Sequence, residues 1–200
     1  MRPNTAAQSG AFAVEFALVA AFFFAVLFGV IELARVVYIF NTLQEATRRA
    51  AHAASGTSFK KDDPAIDLVR QKAIFQDGEG ELVFGGPVTY KHIRIDYLGL
   101  QRAPNGSLTL TPILTDDLPT CPSRNNFNCT IDQNNVVGKS SCIRFVRVRV
   151  CDPGIINECA PVTYVPLLPL IPSLELTLPT STTIVKAETL GYIPGQAVCL

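Results

Sequence analysis

The chain has 200 residues, with 17 Lys and Arg against 17 Asp and Glu and a hydrophobic fraction of 48%. A formal net charge of zero, with no basic patch interleaved with aromatics, gives no electrostatic reason for nucleic-acid binding. Once the N-terminal helical stretch through residue 55 is set aside, about 145 residues remain, enough for one small domain with a modest core.

From Ala11 to Ile31 there are 21 residues whose one charge is Glu15. A helix of that length spans about 30 Å, the thickness of the bilayer hydrocarbon, so residues 11–31 are predicted to cross a membrane once. A secretory signal peptide would need a basic start, a shorter apolar run and a small-x-small cleavage site. Arg2 is the only basic side chain before the run, and the sequence beyond Ile31 continues as helix. A carboxylate at the bilayer centre costs about 2.5 kcal/mol or more, which marks Glu15 as a group in need of a partner, with snorkelling to headgroups as the alternative.

Glu32, Arg35 and Tyr38 mark the exit from hydrocarbon, and the three-residue step from Glu32 to Arg35 lets the two charges pair on one helix face. The helix is predicted to continue through residues 32–55. Leu43, Ala46, Ala50 and Ala53 recur at helical steps, while Gln44, Glu45, Arg48, Arg49 and His52 take the other side. Gly56 is the expected stop, and residues 56–200 form the following domain.

Asp62-Asp63-Pro64 predicts a helix start, with Ala65 to Gln76 helical and Ile66, Leu68, Val69 and Ala73 facing inward. Alternation at Ile93, Ile95 and Tyr97, and again at Leu108 and Leu110, around Pro104-Asn105-Gly106 predicts a β-hairpin. Further strands are expected at Ile143 to Cys151, Leu174 to Leu178 and Thr182 to Ala187, with a bulge where the apolar phase changes between Phe145 and Val146. Thr120 to Ser141, rich in Asn, Ser and Cys, is expected to be a long loop. Tyr164 to Pro172, broken by three prolines, is expected to run extended against the sheet or a partner rather than as a second membrane helix. The fold class is α+β: a long transmembrane and amphipathic helix, then a small antiparallel-sheet domain with disulfide-stabilised loops.

Six cysteines, Cys121, Cys129, Cys142, Cys151, Cys159 and Cys199, all lie in the distal half. Their even number and wide gaps favour disulfides in an oxidising compartment over a zinc site, and six cysteines allow fifteen connectivities. Catalytic signals are weak. His52 and His92 have no Ser or Cys motif pointing to them, and the short Gly78-Glu79-Gly80 and Gly85-Gly86 read as turns. Asp62-Asp63 and Asp116-Asp117 lack a spaced calcium loop. The expectation is a protein that is not an enzyme and holds no cofactor or metal.

Gly10-Ala11-Phe12-Ala13-Val14-Glu15-Phe16-Ala17-Leu18, then Phe28-Gly29-Val30-Ile31-Glu32-Leu33-Ala34-Arg35, then the Ala/Arg-rich stretch from Ala46 to Ala54, resembles the TadE-like proteins of tight-adherence (Flp, type IVb) pilus systems. The likeness covers about the first 55 residues, with fainter echoes at Tyr164 to Pro172 and Thr183 to Glu188. Many relatives carry a proline soon after the Ala-Leu core, where this chain has Ala20-Ala21, and the cysteine-rich region is outside the family pattern.

The resemblance implies a pseudopilin or minor pilin. Residues 1–10 would be a leader cut by a prepilin peptidase after Gly10, leaving Ala11 as the first and Glu15 as the fifth mature residue. Glu15 would then neutralise the new ammonium of an adjacent subunit, which offsets the cost of burying either charge. Implied partners are the lipid bilayer, other pilin or pseudopilin subunits, the pilus assembly platform and the peptidase. Charge counting leaves orientation open, because Arg2 competes with Arg35, Arg48, Arg49, Lys60 and Lys61. The cysteines and the resemblance favour a bacterial inner-membrane protein with its C-terminal domain in the periplasm, incorporated into a surface pilus or held at its base. The alternative is an uncleaved single-pass envelope protein whose disulfide-rich domain binds a ligand or partner.

Overall fold

The computed structural model describes residues 9–60, 63–132, 141–155, 158–167, 176–194 and 199. Helix α1 runs unbroken over Ser9–Gly56, 48 residues and about 70 Å. From Gly10 to Leu33 its side chains are almost all exposed, whereas Ile39, Leu43, Ala46, Thr47, Ala50, Ala51, Ala54 and Ser55 are buried. The change follows the sequence: the first half is apolar on every side, and the second half has one small-residue stripe. The buried stripe ends on Ala54 rather than Ala53, which is exposed, because four-residue steps from Ala46 and Ala50 lead to Ala54.

Helix α2, Pro64–Ala73, lies beside α1 and is capped by Asp63, whose Oδ1 accepts from Ala65 N at 3.0 Å. It ends before Gln76 and turns Leu68 outward, the amphipathic face being carried by Val69 and Ala73. Strands β1 (Ile93–Arg102), β2 (Leu108–Pro112), β3 (Phe145–Val150) and β4 (Thr182–Lys186) form an antiparallel sheet in the order β2-β1-β3-β4. The second half of α1 packs across β3 and β4, where Ile93, Tyr97, Val146, Val148 and Val150 meet Leu43, Ala50 and Ala54 in one core.

The pairing of β1 with β3 runs without interruption from Ile93↔Val150 to Leu98↔Phe145, so β3 has no bulge. The phase change arises because the outer face is itself apolar there, with Phe145 set against Leu98 across the strands. Leu176 to Leu178 contributes an isolated bridge, Thr163↔Thr177, rather than a strand, and residues 174 and 175 lie outside the described residues. The expected loop after Thr120 contains a helix instead, α3 over Pro122–Asp132. Its polar sequence is overridden by tertiary ties: Asn125 is buried and accepts from Ile143 N at 2.7 Å, and disulfides join Cys121 to Cys199 and Cys129 to Cys142. The third disulfide joins Cys151 to Cys159.

The far end of α1 is closed by the chain after β4. Glu188 N and Leu190 N donate to Ser55 O at 3.1 Å, and Gly191 N donates to Gly56 O at 3.0 Å, which satisfies carbonyls that a helix end leaves free. Gly191 is required here, with φ 78 and a position where a Cβ would sit 2.7 Å from Ser58 N.

On the outer face of the sheet Asp96 holds three arginines. Its Oδ2 accepts from Arg149 Nη2 at 2.7 Å and Arg147 Nη2 at 3.0 Å, and its Oδ1 accepts from Arg94 Nε at 3.1 Å. Burial pushes the Asp96 carboxyl up, but the hydrogen bonds from Arg149, Arg94 and Arg147 outweigh it and hold the group below its ordinary value.

Two predictions follow from packing and charge. Ala50→Leu, made on the buried stripe, should cost about 1–3 kcal/mol in denaturant unfolding, while Ala53→Leu on the exposed side should change little. Asp96 has a folded pKa below its unfolded one, so its contribution is full above 3.8 and is lost as pH falls through the folded value. Asp96→Asn should therefore lower the melting temperature at neutral pH and flatten its decline on acidification below 3.8, read by circular dichroism across a pH series.

Candidate membrane helix and its exit clamp

α1 is long and apolar enough to cross a membrane, by length and composition. Gly10 is its second residue, and a Cβ built there would meet nothing within 4 Å. Ala11 and Glu15 follow on the bare part of the rod, both exposed. Among the described residues no side chain or backbone group pairs with the Glu15 carboxylate. Phe23 meets Phe24 edge to face with ring centres 5.5 Å apart, Phe24 stacks toward Phe28 at 6.1 Å, and all three rings remain exposed.

The exit pair is brought together and becomes part of a larger junction. Arg35 Nη1 lies 3.4 Å from Glu32 Oε1, as the three-residue step predicts. Arg35 also donates through Nε to Phe84 O at 2.8 Å, and through Nη1 to Val165 O at 2.8 Å and Tyr164 OH at 3.1 Å. Its guanidinium lies 5.1 Å from the Tyr164 ring centre. Glu32 in turn accepts from the Tyr164 hydroxyl and from Leu167 N at 3.3 Å. Burial, and then the hydrogen bond to Glu32, push the Tyr164 phenol up to about 12, so it stays a proton donor at any physiological pH.

A planar fork explains why arginine stands at position 35: one cation has to serve two backbone carbonyls, a carboxylate and a phenol on different segments. Two chain segments converge on it. One is the Glu81 to Thr89 loop, held by a bridge between those two residues and by buried Leu82 and Val88. The other is the Tyr164–Leu167 stretch, anchored by Tyr164 N donating to Leu176 O at 2.8 Å. The expected extended segment thus packs on the helix exit as far as Leu167, and residues 168–172 lie outside the described residues.

Tyr164, Phe84, Val165 and Leu167 were not singled out by sequence as junction residues. The available signals were slight: a tyrosine ahead of a proline-broken apolar run, and a phenylalanine before Gly85-Gly86-Pro87. The six cysteines form the three disulfides described above, with Cα separations of 6.2 Å for Cys121–Cys199 and 4.8 Å for each of the other two. His52 is exposed, and His92 precedes β1 in a short 3-10 turn over Tyr90–His92, its Nδ1 accepting from Thr89 N at 3.0 Å. Burial pushes the His92 imidazole below its ordinary value, which favours the neutral acceptor that this turn uses.

Arg35→Ala should remove four hydrogen bonds at once and speed amide exchange in 82–88 and 162–167, with a loss of about 2 kcal/mol in stability. Arg35→Lys keeps the charge without the fork and should recover only part of the protection, read by hydrogen-exchange mass spectrometry.

The family model described as TadE-like protein matches residues 10–52, that is, α1 from its second residue to within four residues of its end. The match lies wholly within α1 and covers none of the sheet domain. No curated protein and no solved structure matches the chain.

Proposed function

We propose that this protein is a pseudopilin or minor pilin of a tight-adherence pilus, acting by membrane-helix packing and protein–protein contacts and carrying out no chemistry itself. The observation that carries the reading is the placement of Glu15 five residues after Gly10, on a helix half that the other described residues leave bare. Residues 1–10 serve as the leader, 11–31 as the membrane span, 32–55 as the amphipathic continuation and 56–200 as the periplasmic domain. A prepilin peptidase cuts between Gly10 and Ala11, and the new ammonium pairs with Glu15 of a neighbouring subunit.

The family match over residues 10–52 supports this reading, since it spans both the processing site and the packing surface. The three disulfides support an oxidising compartment for the domain. The bare first half of α1 supports lateral contact with lipid while the subunit is stored in the membrane, and with other pilin helices once it is assembled.

N-terminal sequencing of protein recovered from membranes should give Ala11 as the first residue, and Glu15→Ala should sharply reduce surface pili while the protein remains stably expressed. Retention of Met1 in cells that process another prepilin would favour the uncleaved envelope protein. Normal piliation of a stable Glu15→Ala strain would remove the charge pair from the mechanism.

A further inference from the structure

The junction at Arg35 carries exposed apolar side chains that the domain does not use. Val83 and Phe84 form the tip of a turn closed by Gly85 N donating to Leu82 O at 2.8 Å, and they are 52% and 71% exposed. Val165 and Leu167, on the second segment of the clamp, are 51% and 57% exposed. Tyr38, also exposed, meets Phe84 edge to face with ring centres 6.3 Å apart.

The turn is built to hold that aromatic outward. Phe84 has φ 56, at the third turn position that glycine ordinarily takes, a conformation that costs a bulky L residue about 1 kcal/mol or more. The base of the turn is fixed beneath it: Leu82 is buried, and a Cβ on Gly85 would fall 2.5 Å from the Leu82 side chain. An exposed phenylalanine therefore stands on a rigid support in a strained backbone position, a combination that core packing does not explain.

Its height along α1 decides what it faces. If hydrocarbon ends near Ile31, Arg35 lies about 6 Å further on, within the headgroup zone that adds about 5–7 Å on each side of the core. Phe84 O is 2.8 Å from Arg35 Nε, and Leu167 N is 3.3 Å from Glu32 Oε1, only one residue past Ile31. Leu167 thus lies within that zone, and the Phe84 ring, set against Tyr38 about 10 Å past Ile31 on a helix whose side chains tilt back toward its N-terminus, lies at its outer edge, the depth range where aromatic and aliphatic side chains partition into a bilayer interface.

We propose that the Val83-Phe84 turn and the Val165–Leu167 segment form a second, shallow lipid contact, seated in the headgroup zone of the same bilayer that α1 crosses. The inference rests on the membrane-spanning reading of α1. It makes the domain a cap held flush with the membrane surface at two points beside the helix, with Arg35 and Glu32 fixing the two segments at one depth. Withdrawing the protein from the bilayer would then have to release these side chains as well as the helix.

The chain contains no tryptophan, so a single Trp reports without background. Four full-length variants, Phe84→Trp, Leu167→Trp, Phe23→Trp and Phe127→Trp, are reconstituted into phosphatidylcholine–phosphatidylglycerol vesicles, with non-reducing mass spectrometry confirming the disulfides. Phe127 on α3 is the distal control. Its helix is tied through Cys129–Cys142 to the segment where Ala187 N bonds Arg144 O, one residue before the chain reaches Ser55 at the far end of α1.

Phe84→Trp and Leu167→Trp should emit blue-shifted light and be quenched several-fold more than Phe127→Trp by lipids brominated near the ester. Phe23→Trp should be quenched best by bromine deep in the acyl chain. Free quenching of both junction reporters by aqueous acrylamide, with Phe23→Trp still quenched by deep bromine, would overturn the lipid contact and leave the span intact. Junction reporters shielded from acrylamide and from bromine alike would mean that protein covers the patch, and would also overturn it. An unquenched Phe23→Trp would remove the spanning reading and this contact with it. Should Phe84→Trp misfold, Leu167→Trp carries the same comparison.

Discussion

The sheet domain and the second half of the helix that precedes it share one interior. Ile39, Leu43, Ala50, Ala51 and Ala54 supply the middle of the core, and β3 and β4 close over them from one side. One uninterrupted backbone therefore has two kinds of surface, apolar apart from Glu15 and Glu32 and almost wholly exposed up to Leu33, and striped from Ile39 onward. The alanines on the stripe set the geometry. Small side chains allow the sheet to approach the helix axis closely, and each deviation in volume at this contact is felt by both layers.

The two regimes of α1 meet at Arg35, where the electrostatics change character. A part-buried guanidinium is costly unless it is paired, and here Nε donates to Phe84 O while Nη1 faces Glu32, Tyr164 OH and Val165 O. The same network fixes the angle between helix and domain, because its acceptors sit on segments more than a hundred residues apart for Val165 and about fifty for Phe84. At the opposite end the tie is backbone to backbone, from Glu188, Leu190 and Gly191 to Ser55 and Gly56. Held at both ends of its buried half, the helix has little freedom to pivot against the sheet.

Helical periodicity and charge made α1, its exit pair and its break at Gly56 legible in the sequence, because those features depend on residues three and four apart. The hairpin was legible from an equally local pattern, alternation at a period of two on either side of Pro104-Asn105-Gly106. What depended on distant residues was not. The polar stretch after Thr120 carries no helical stripe, and α3 forms because Asn125 and two disulfides pin it to Ile143, Cys142 and Cys199. The phase change at Phe145 looked like a bulge because a period of two cannot reveal that the outer face is apolar at one end of the strand. Likewise Phe84, Tyr164 and Val165 meet Arg35 from where no local pattern points, while Glu32 lies three residues away on the same helix.

Glu15 stands apart from all of these ties, and its position along the span sets its energetics. It lies only four residues beyond Ala11, about 6 Å into the apolar run, so in a bilayer its carboxylate reaches the headgroups at a cost well below that of a charge at the midplane. An array of packed helices removes that escape, because the headgroups are replaced by neighbouring side chains as apolar as Phe12 and Phe16. The carboxylate is then tolerable only beside a cation, and the nearest basic side chain of its own helix, Arg35, is 20 residues away and already held by the clamp. A free amino group at Ala11 is the one cation that processing would create at the right depth. The same glutamate would thus be nearly indifferent in the membrane and selective in an assembly, admitting only neighbours that bring a positive charge to its level.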